Sequence, residues 1–372
     1  MKEKVLFIVN SIYLDTSRNE GGVRNCTLEY ITLLSTQFEV ILFPVSYSKS
    51  IIYKLRSKLG YNNYNDYAPT NYISELKEVI IQNDIKFVFL NLSNTMTFAP
   101  IIKEEFNEVR VILCSHGNES GDFLHHSFRF KKGQNWLQRL KNSILFAKII
   151  EKEIDFRLHF LDLVLTVSEV EEGVEKWLGA RKVFMVPRVL KNEPIPWTPV
   201  FGRVGFLGDL SHKPNYEGIV SFCDAIIKSG SKDLKLRLLG SPTIIGNDLA
   251  CKYPFVDYCG FIPDDKIKDE VATWSLFLNL VFYYSRGVST KLAKGLSWGI
   301  PVLSTTYGNR GYNIPSGMLT SVETPLEMVE MAVKLISDRN KLSEMRKISL
   351  QLSSDFSEFR PIMDNLYPLM TT

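Results

Sequence analysis

Three cationic side chains, Arg286, Lys291 and Lys294, crowd one short stretch of the run Ser285–Thr305. If a helix starts at Thr290, Ser289 is placed to cap it. The open amides of its first turn then face the same ligand as Arg286 and Lys291, with Gly287, Val288, Ser289 and Thr290 as the lining backbone. That grouping suits a multiply charged phosphate. Lys294, one turn on, suits a solvated helix face equally well. A second block, Gly205–Ile219, reads as a strand, a turn at Gly208, then a helix with Pro214 in its first turn and Lys213 and Asn215 beside it. Backbone amides in such a turn can approach a diphosphate, although strand–glycine–helix turns occur throughout α/β proteins.

Two loops in the first half complete the set. Ser115-His116-Gly117-Asn118-Glu119 follows an apolar strand, which puts His116 at a sheet edge with Glu119 able to orient it or to touch an acceptor. Gly21-Gly22-Val23-Arg24 follows the polar loop Thr16–Glu20 and opens a helix, permitting close backbone approach to a substrate. The fingerprint G-x-G-x-x-G is absent, which argues against an NAD-dependent dehydrogenase. His125, His126, His159 and His212 have no metal partners at useful spacing and read as solvent or packing residues. With no Asp-x-Asp pair either, no metal site is expected.

The elements that must position these residues alternate between short apolar runs and helical periods, the pattern of parallel sheets wrapped by helices. Strands are predicted at Val5–Val9, Glu39–Phe43, Lys86–Leu90, Val109–Cys114, Leu163–Val167 and Val183–Val186, with helices at Val23–Ser35, Asn71–Gln82, Trp136–His159 and Glu169–Trp177. After a proline-rich stretch the series starts again. Strands are predicted at Arg203–Leu207, Lys235–Leu239, Phe255–Tyr258, Leu276–Leu280 and Pro301–Ser304, with helices at Tyr216–Lys228, Asp264–Thr273 and Thr290–Trp298. The predicted fold class is α/β, two Rossmann-like doubly wound domains facing across a cleft. The first spans 1–187, a linker 188–200, the second 201–355, and a C-terminal helix at 356–372 that returns to the first domain. Pro325–Asn340, Lys341–Leu352 and Phe359–Leu369 read as surface helices.

Bulk properties fit an ordinary soluble enzyme. The 372 residues are 45% hydrophobic and 23% charged with a formal net charge of +3, too little for a nucleic-acid partner. Five scattered cysteines form no C-x-x-C pair, and with no spanning segment in view a cytoplasmic location is expected. The stretch Arg129–Lys148 holds six Lys or Arg and no acid, interleaved with Phe130, Trp136, Leu137, Leu140, Ile144, Leu145 and Phe146. Such a segment can lie on an anionic membrane, or pack its apolar stripe on the first domain with the basic face in water.

The order of blocks from Gly208-Asp209-Leu210 and Pro214-Asn215, through Gly260-Phe-Ile-Pro-Asp264, to Lys291–Thr305 and Gly308…Gly311 resembles family 4 of the retaining GT-B glycosyltransferases. The resemblance covers roughly residues 203–312 and is looser in the first half, at Gly21-Gly22, Ser115-His116-Gly117 and Val167-Ser168-Glu169. It implies transfer of a sugar from a nucleoside-diphosphate sugar, UDP- or GDP-linked, to a hydroxyl of a glycan or lipid-linked glycan, with no other cofactor. In it His116, Lys213, Arg286 and Lys291 serve catalysis. Gly208, Asn215, Gly287–Thr290 and Lys294 hold the donor, while Gly21, Gly22, Arg24 and Glu119 line the acceptor and phosphate loop. The chain departs from the family at its pair of glutamates eight positions apart, which are Arg286 and Lys294 here. Cations cannot accept the hydrogen bonds of ribose and sugar hydroxyls. A different donor, carboxylates from elsewhere and loss of transfer all stay open, as do an epimerase of the same fold and a degenerate binding partner. The resemblance also implies work in bacterial surface polysaccharide or glycan assembly, with reversible contact at the inner face of the cell membrane.

Overall fold

A computed structural model of the chain describes residues 2–15, 22–59, 64–129, 133, 135–283, 287–312 and 314–372, with backbone alone for 57–59, 129, 264 and 265. It comprises two compact units, Met1–Pro187 with Phe359–Thr372, and Arg188–Glu358. Each is Rossmann-like and is built on one six-stranded parallel sheet.

The first sheet contains β1 (Lys4–Asn10), β2 (Glu39–Val45), β3 (Phe87–Asn91), β4 (Arg110–Cys114), β5 (Leu163–Thr166) and β6 (Val183–Met185), in the order β2-β1-β3-β4-β5-β6. The unbroken apolar runs of β1 and β3 are what a strand covered on both faces requires, and both are buried along their length. Around the sheet lie α1 (Gly22–Ser35), α2 (Ile51–Leu59), α3 (Ile73–Gln82), α4 (Ala99–Glu105), α5 (Glu119–Leu124), α6 (Trp136–His159) and α7 (Glu169–Trp177). Side-chain caps fix two of these starts: Asn135 accepts from the Gln138 amide and Ser168 from the Glu171 amide.

In the second unit β7 (Arg203–Leu207), β8 (Lys235–Leu239), β9 (Val256–Gly260), β10 (Leu276–Asn279), β11 (Val302–Thr305) and β12 (Thr320–Val322) take the order β9-β8-β7-β10-β11-β12. Its helices are α8 (Lys213–Ser229), α9 (Thr243–Lys252), α10 (Asp264–Val271), α11 (Thr290–Ser297), α12 (Pro325–Ile336) and α13 (Arg339–Asp355). The last helix, α14 (Arg360–Thr371), belongs to the first unit, where the Tyr367 ring lies 5.8 Å from that of Phe38. Strand order reverses between β1 and β3 in one sheet and between β7 and β10 in the other. Open α/β sheets bind ligands beside the carboxyl ends of such strand pairs.

Two expectations need correction. The proline-rich stretch is not a bare linker: Leu190 and Ile195 are buried in the second core, and the Trp197 indole donates to the Trp274 carbonyl at 2.8 Å. The break between α12 and α13 falls at 337–338, because Asp338 accepts from the Lys341 amide and caps the second helix. α14 is a surface helix as expected, one stripe of which, Met363, Leu366 and Met370, is buried. Among the described residues no helix is long and apolar enough to cross a membrane.

Candidate functional site

The carboxyl ends of β7 and β10 carry a dense polar arrangement. Leaving β7, the chain turns at Gly208 and is held by an Asp209 carboxylate that accepts from the Ser211 amide and hydroxyl at 2.8 and 2.6 Å. A neighbouring glycine makes room for this turn: a Cβ on Gly240, whose φ is +145°, would lie 1.8 Å from the Gly208 carbonyl oxygen. α8 then starts with Pro214 in its first turn, where the missing N–H costs nothing. The helix comes close to the sheet because Gly218 has no side chain; a Cβ there would sit 2.0 Å from the Leu280 carbonyl oxygen.

Lys291 reaches this turn from α11. Its Nζ donates to Asn215 Oδ1 at 2.9 Å and lies 5.6 Å from the centre of the Phe206 ring, while Asn215 Nδ2 donates to the Asp209 carbonyl at 2.7 Å. Burial, followed by repulsion from the Arg310 guanidinium, lowers the Lys291 ammonium to about 8. The same two cations, after burial, push His212 below the usual histidine range. Arg310, itself buried, is anchored through Nε to the Gly287 carbonyl at 2.7 Å and through a terminal nitrogen to the Tyr307 carbonyl at 2.5 Å. The two cations Lys291 and Arg310 thus repel one another at the strand-order reversal, with the His212 imidazole beside them. A bound anion would relieve that repulsion.

The start of α11 differs from expectation. Ser289 holds the N-cap position but makes no side-chain cap; its hydroxyl donates instead to Asn279 Oδ1 at 2.8 Å. Asn279 in turn donates to Ser304 Oγ and the Gly308 carbonyl, each at 3.0 Å. Tyr312 contributes to the cap, with its hydroxyl donating to the Ser289 carbonyl and accepting from the Ala293 amide at 3.1 Å. The amides of 290–292 precede any intrahelical acceptor. Gly287, Val288 and Thr290 line this edge half-buried, Lys213 is exposed at the first position of α8, and Lys294 lies 5.8 Å over the Trp298 ring. Arg286 lies outside the described residues, as do Ser285, Gly21 and the loop 16–20. Sequence reasoning missed His212, Arg310, Tyr312 and Asn279. The Asn-Arg-Gly-Tyr run after β11 held the only legible hint.

In the first unit, His116 is buried after β4, with Nε2 3.1 Å from Asn91 Oδ1 and its ring 5.5 Å from that of Tyr30. Its loop is held from beneath. Arg157 pairs with Glu175 at full burial and donates to Asn118 Oδ1 at 2.6 Å, while Glu175 accepts from Ser115 Oγ at 3.0 Å. Buried Glu153 accepts from the Ser120 amide at 3.0 Å and the Tyr64 hydroxyl at 2.6 Å. Glu119 begins α5, half-buried, and its charge acts on Asp66. Burial, then Glu119, raises the Asp66 carboxyl to about 6 against an opposing hydrogen bond from Asn94. The Tyr47 and Tyr67 rings lie 5.3 Å apart, tilted at 35°, beside it, and Asn10 Nδ2 donates to the Tyr67 hydroxyl at 3.0 Å. Gly22 opens α1, where Arg24 keeps a buried Nε without an acceptor among the described residues. Among the described residues no group of three His, Cys, Asp or Glu could hold a metal ion.

Two Rossmann-like units, one with a cationic helix pair at its strand-order reversal, define a protein of the GT-B fold class. Residues 202–338 match the family model described as glycosyl transferases group 1. Among solved structures, Anabaena Alr3699/HepE in complex with UDP and glucose is similar over 100% of both chains, with 13% identity and a TM-score of 0.63. Sucrose-phosphate synthase from Thermosynechococcus elongatus is similar over 99% of this chain and 98% of its own, with 14% identity and a TM-score of 0.68. The lipopolysaccharide outer core galactosyltransferase WaaB is similar over 98% of this chain and 99% of its own, with 13% identity and a TM-score of 0.61. At these identities the likeness is one of fold. No curated protein matches the chain in sequence.

Proposed function

We propose that the chain is a retaining glycosyltransferase that moves a hexosyl group from a UDP- or GDP-linked donor to a glycan hydroxyl. It would serve bacterial surface polysaccharide assembly at the inner face of the cell membrane. The observation that carries this reading is the pair of cations Lys291 and Arg310, with His212 beside them, at the first turns of α8 and α11; the repulsion between the two cations is what a diphosphate would neutralise. The match of residues 202–338 to group 1 glycosyl transferases supports it, as does UDP bound in HepE.

Chemistry with retention requires the sugar–phosphate bond to break while the acceptor hydroxyl approaches from the same face. Its proton then passes to the leaving phosphate oxygen. The work left to the protein is electrostatic: Lys291, with Lys213 and Arg286, offsets the charge that grows on the departing diphosphate. His116 and Glu119 orient donor sugar and acceptor. Cationic side chains in this role make a divalent ion unnecessary. The test is thermal-shift screening with UDP, GDP, CMP and ADP sugars, followed by product analysis of the stabilising donor with and without chelator. Stabilisation by one nucleotide class and transfer that survives chelator are the expected results. No stabilisation by any nucleotide sugar at millimolar concentration refutes the proposal, and consumption of donor without acceptor reassigns the chain to epimerisation.

A further inference from the structure

His116 ends a chain of buried hydrogen bonds whose direction follows from what each atom can donate. Val23, Thr27 and Tyr30 recur at helical spacing along one stripe of α1. The Thr27 hydroxyl lies 2.9 Å from the Val23 carbonyl oxygen, which can only accept, and 3.4 Å from Asn91 Oδ1. Its single proton therefore goes to Val23. A lone pair of Thr27 Oγ1 is left to meet Asn91 Nδ2 at 3.0 Å, and it accepts from that amide. With its nitrogen engaged by Thr27, the amide turns Oδ1 toward His116 Nε2, 3.1 Å away. Oδ1 has no proton to give, so in the neutral imidazole Nε2 carries the proton and Nδ1 the lone pair.

The surroundings keep this geometry from relaxing. Thr27 and Asn91 are fully buried and His116 is nearly so. Asn91 is the last residue of β3, and the next, Leu92, takes φ +76°, a conformation that favours glycine. Such strain persists where neighbours over-determine the backbone. Here the Leu92 amide donates to the Cys114 carbonyl at 3.1 Å and Ser93 Oγ to the Gly117 carbonyl at 2.8 Å, which ties the end of β3 to the loop that carries His116. Tyr30 packs beside the imidazole, its ring 5.5 Å away and its hydroxyl donating to the Ser115 carbonyl at 3.5 Å.

We infer that Asn91 and Thr27 are positioning residues that hold neutral His116 in its Nε2–H tautomer, so that Nδ1 meets other groups only as a hydrogen-bond acceptor. The tautomer itself does not depend on what the chain does. Its consequence rests on the transferase reading: the sugar group that meets His116 is a hydroxyl, which can donate, and not the carboxylate of an acidic sugar, which at neutral pH cannot.

The test uses the full chain with its five histidines isotope-labelled, read by nitrogen–proton correlation NMR at about pH 8, where an ordinary imidazole is neutral. The spectrum of His116→Gln assigns the signal. Expected in the parent is one tautomer, protonated at Nε2. Asn91→Leu removes the acceptor and Thr27→Val the hydroxyl that orients the amide, so each should give an average of the two tautomers or the Nδ1–H form. Asn91→Asp, which keeps an oxygen toward the ring, should restore Nε2–H. An Nδ1–H tautomer in the parent overturns the inference whether or not any variant folds. Nε2–H retained in either Thr27→Val or Asn91→Leu also overturns it, because the ring would then be set by other groups. With the donor found by nucleotide-sugar screening, Thr27→Val and Asn91→Leu should lower kcat about three- to tenfold, the size of one hydrogen bond, and leave KM within about twofold. Unchanged kcat beside an altered tautomer overturns the positioning role. If no donor is found, the transferase reading fails while the spectra still decide the tautomer.

Discussion

Replacing Lys291 with Met separates the cost of the cation from its use. In the empty protein the ammonium titrates near 8, against 10.5 for an ordinary lysine, because burial and Arg310 disfavour its charge. A diphosphate reverses that preference, so binding above pH 8 takes up a proton. The charged fraction falls from about 0.9 at pH 7 to about 0.1 at pH 9, which weakens affinity about tenfold, or ~1.4 kcal/mol. The Met variant should lose this pH slope together with about 1–3 kcal/mol of UDP affinity at pH 7. Stability should move the other way. Between about pH 8 and 10.5 the unfolded chain binds the proton that the folded chain sheds, so stability rises with pH there. Below pH 8 the folded protein carries the whole cost. Discounted for the water that still reaches the half-buried side chain, removing it should return about 1–2 kcal/mol at pH 7, or roughly 2–8 °C in the melting of a domain this size. Calorimetric titration with UDP at pH 7, 8 and 9, alongside thermal melts, measures both. A variant that melts lower than the parent, or that keeps the parent's pH slope in affinity, refutes the assignment.

Arg157→Met should destabilise the first unit by about 3–5 kcal/mol, read as a lower urea midpoint, because it leaves the Glu175 carboxylate buried without its cation. Adding Glu175→Leu should restore most of that loss; a double variant as weak as the single would show that the pair contributes more than mutual neutralisation. For Asp66, held at about 6 rather than 3.8, the folded chain binds more protons than the unfolded one between those values, so stability is lost as pH rises through 6. Asp66→Asn should therefore raise the melting temperature at pH 7.5, by about 1 kcal/mol of stability once solvent screening is allowed for, with the gain vanishing below about pH 4. An equal gain at both pH values would mean that the carboxyl's charge is not the cause.

What could be read in advance followed the strength of local signals. β7, β8, α6 and α7 have the expected bounds, since alternation of apolar runs with capped helices at Asn135 and Ser168 leaves little choice. α2 and β12 were not expected. The first buries none of its described side chains, and the second is a three-residue edge strand. Glycine and proline marked the turn at Gly208 and the start of α8, but they could not show that Lys291 crosses from another helix to meet Asn215. Nor could spacing distinguish Glu153 and Arg157 on α6 from the solvated charges around them, because their burial depends on where the 115–120 loop comes to lie. Ser289 failed as a cap for the same reason: a partner distant in sequence, Asn279, competes for its hydroxyl.

The Tyr312 hydroxyl bridges the Ser289 carbonyl and the Ala293 amide, so the loop that follows β11 is mechanically continuous with the first turn of α11. Arg310 adds a second tether, from the same loop to the Gly287 carbonyl. A substitution at Asn309 or Gly311 would therefore reach the first turn of α11 through these tethers, without itself touching the helix. If the chain is the transferase proposed above, change at positions 309, 310 and 312 is a route by which donor preference can be retuned while the motif glycines stay in place.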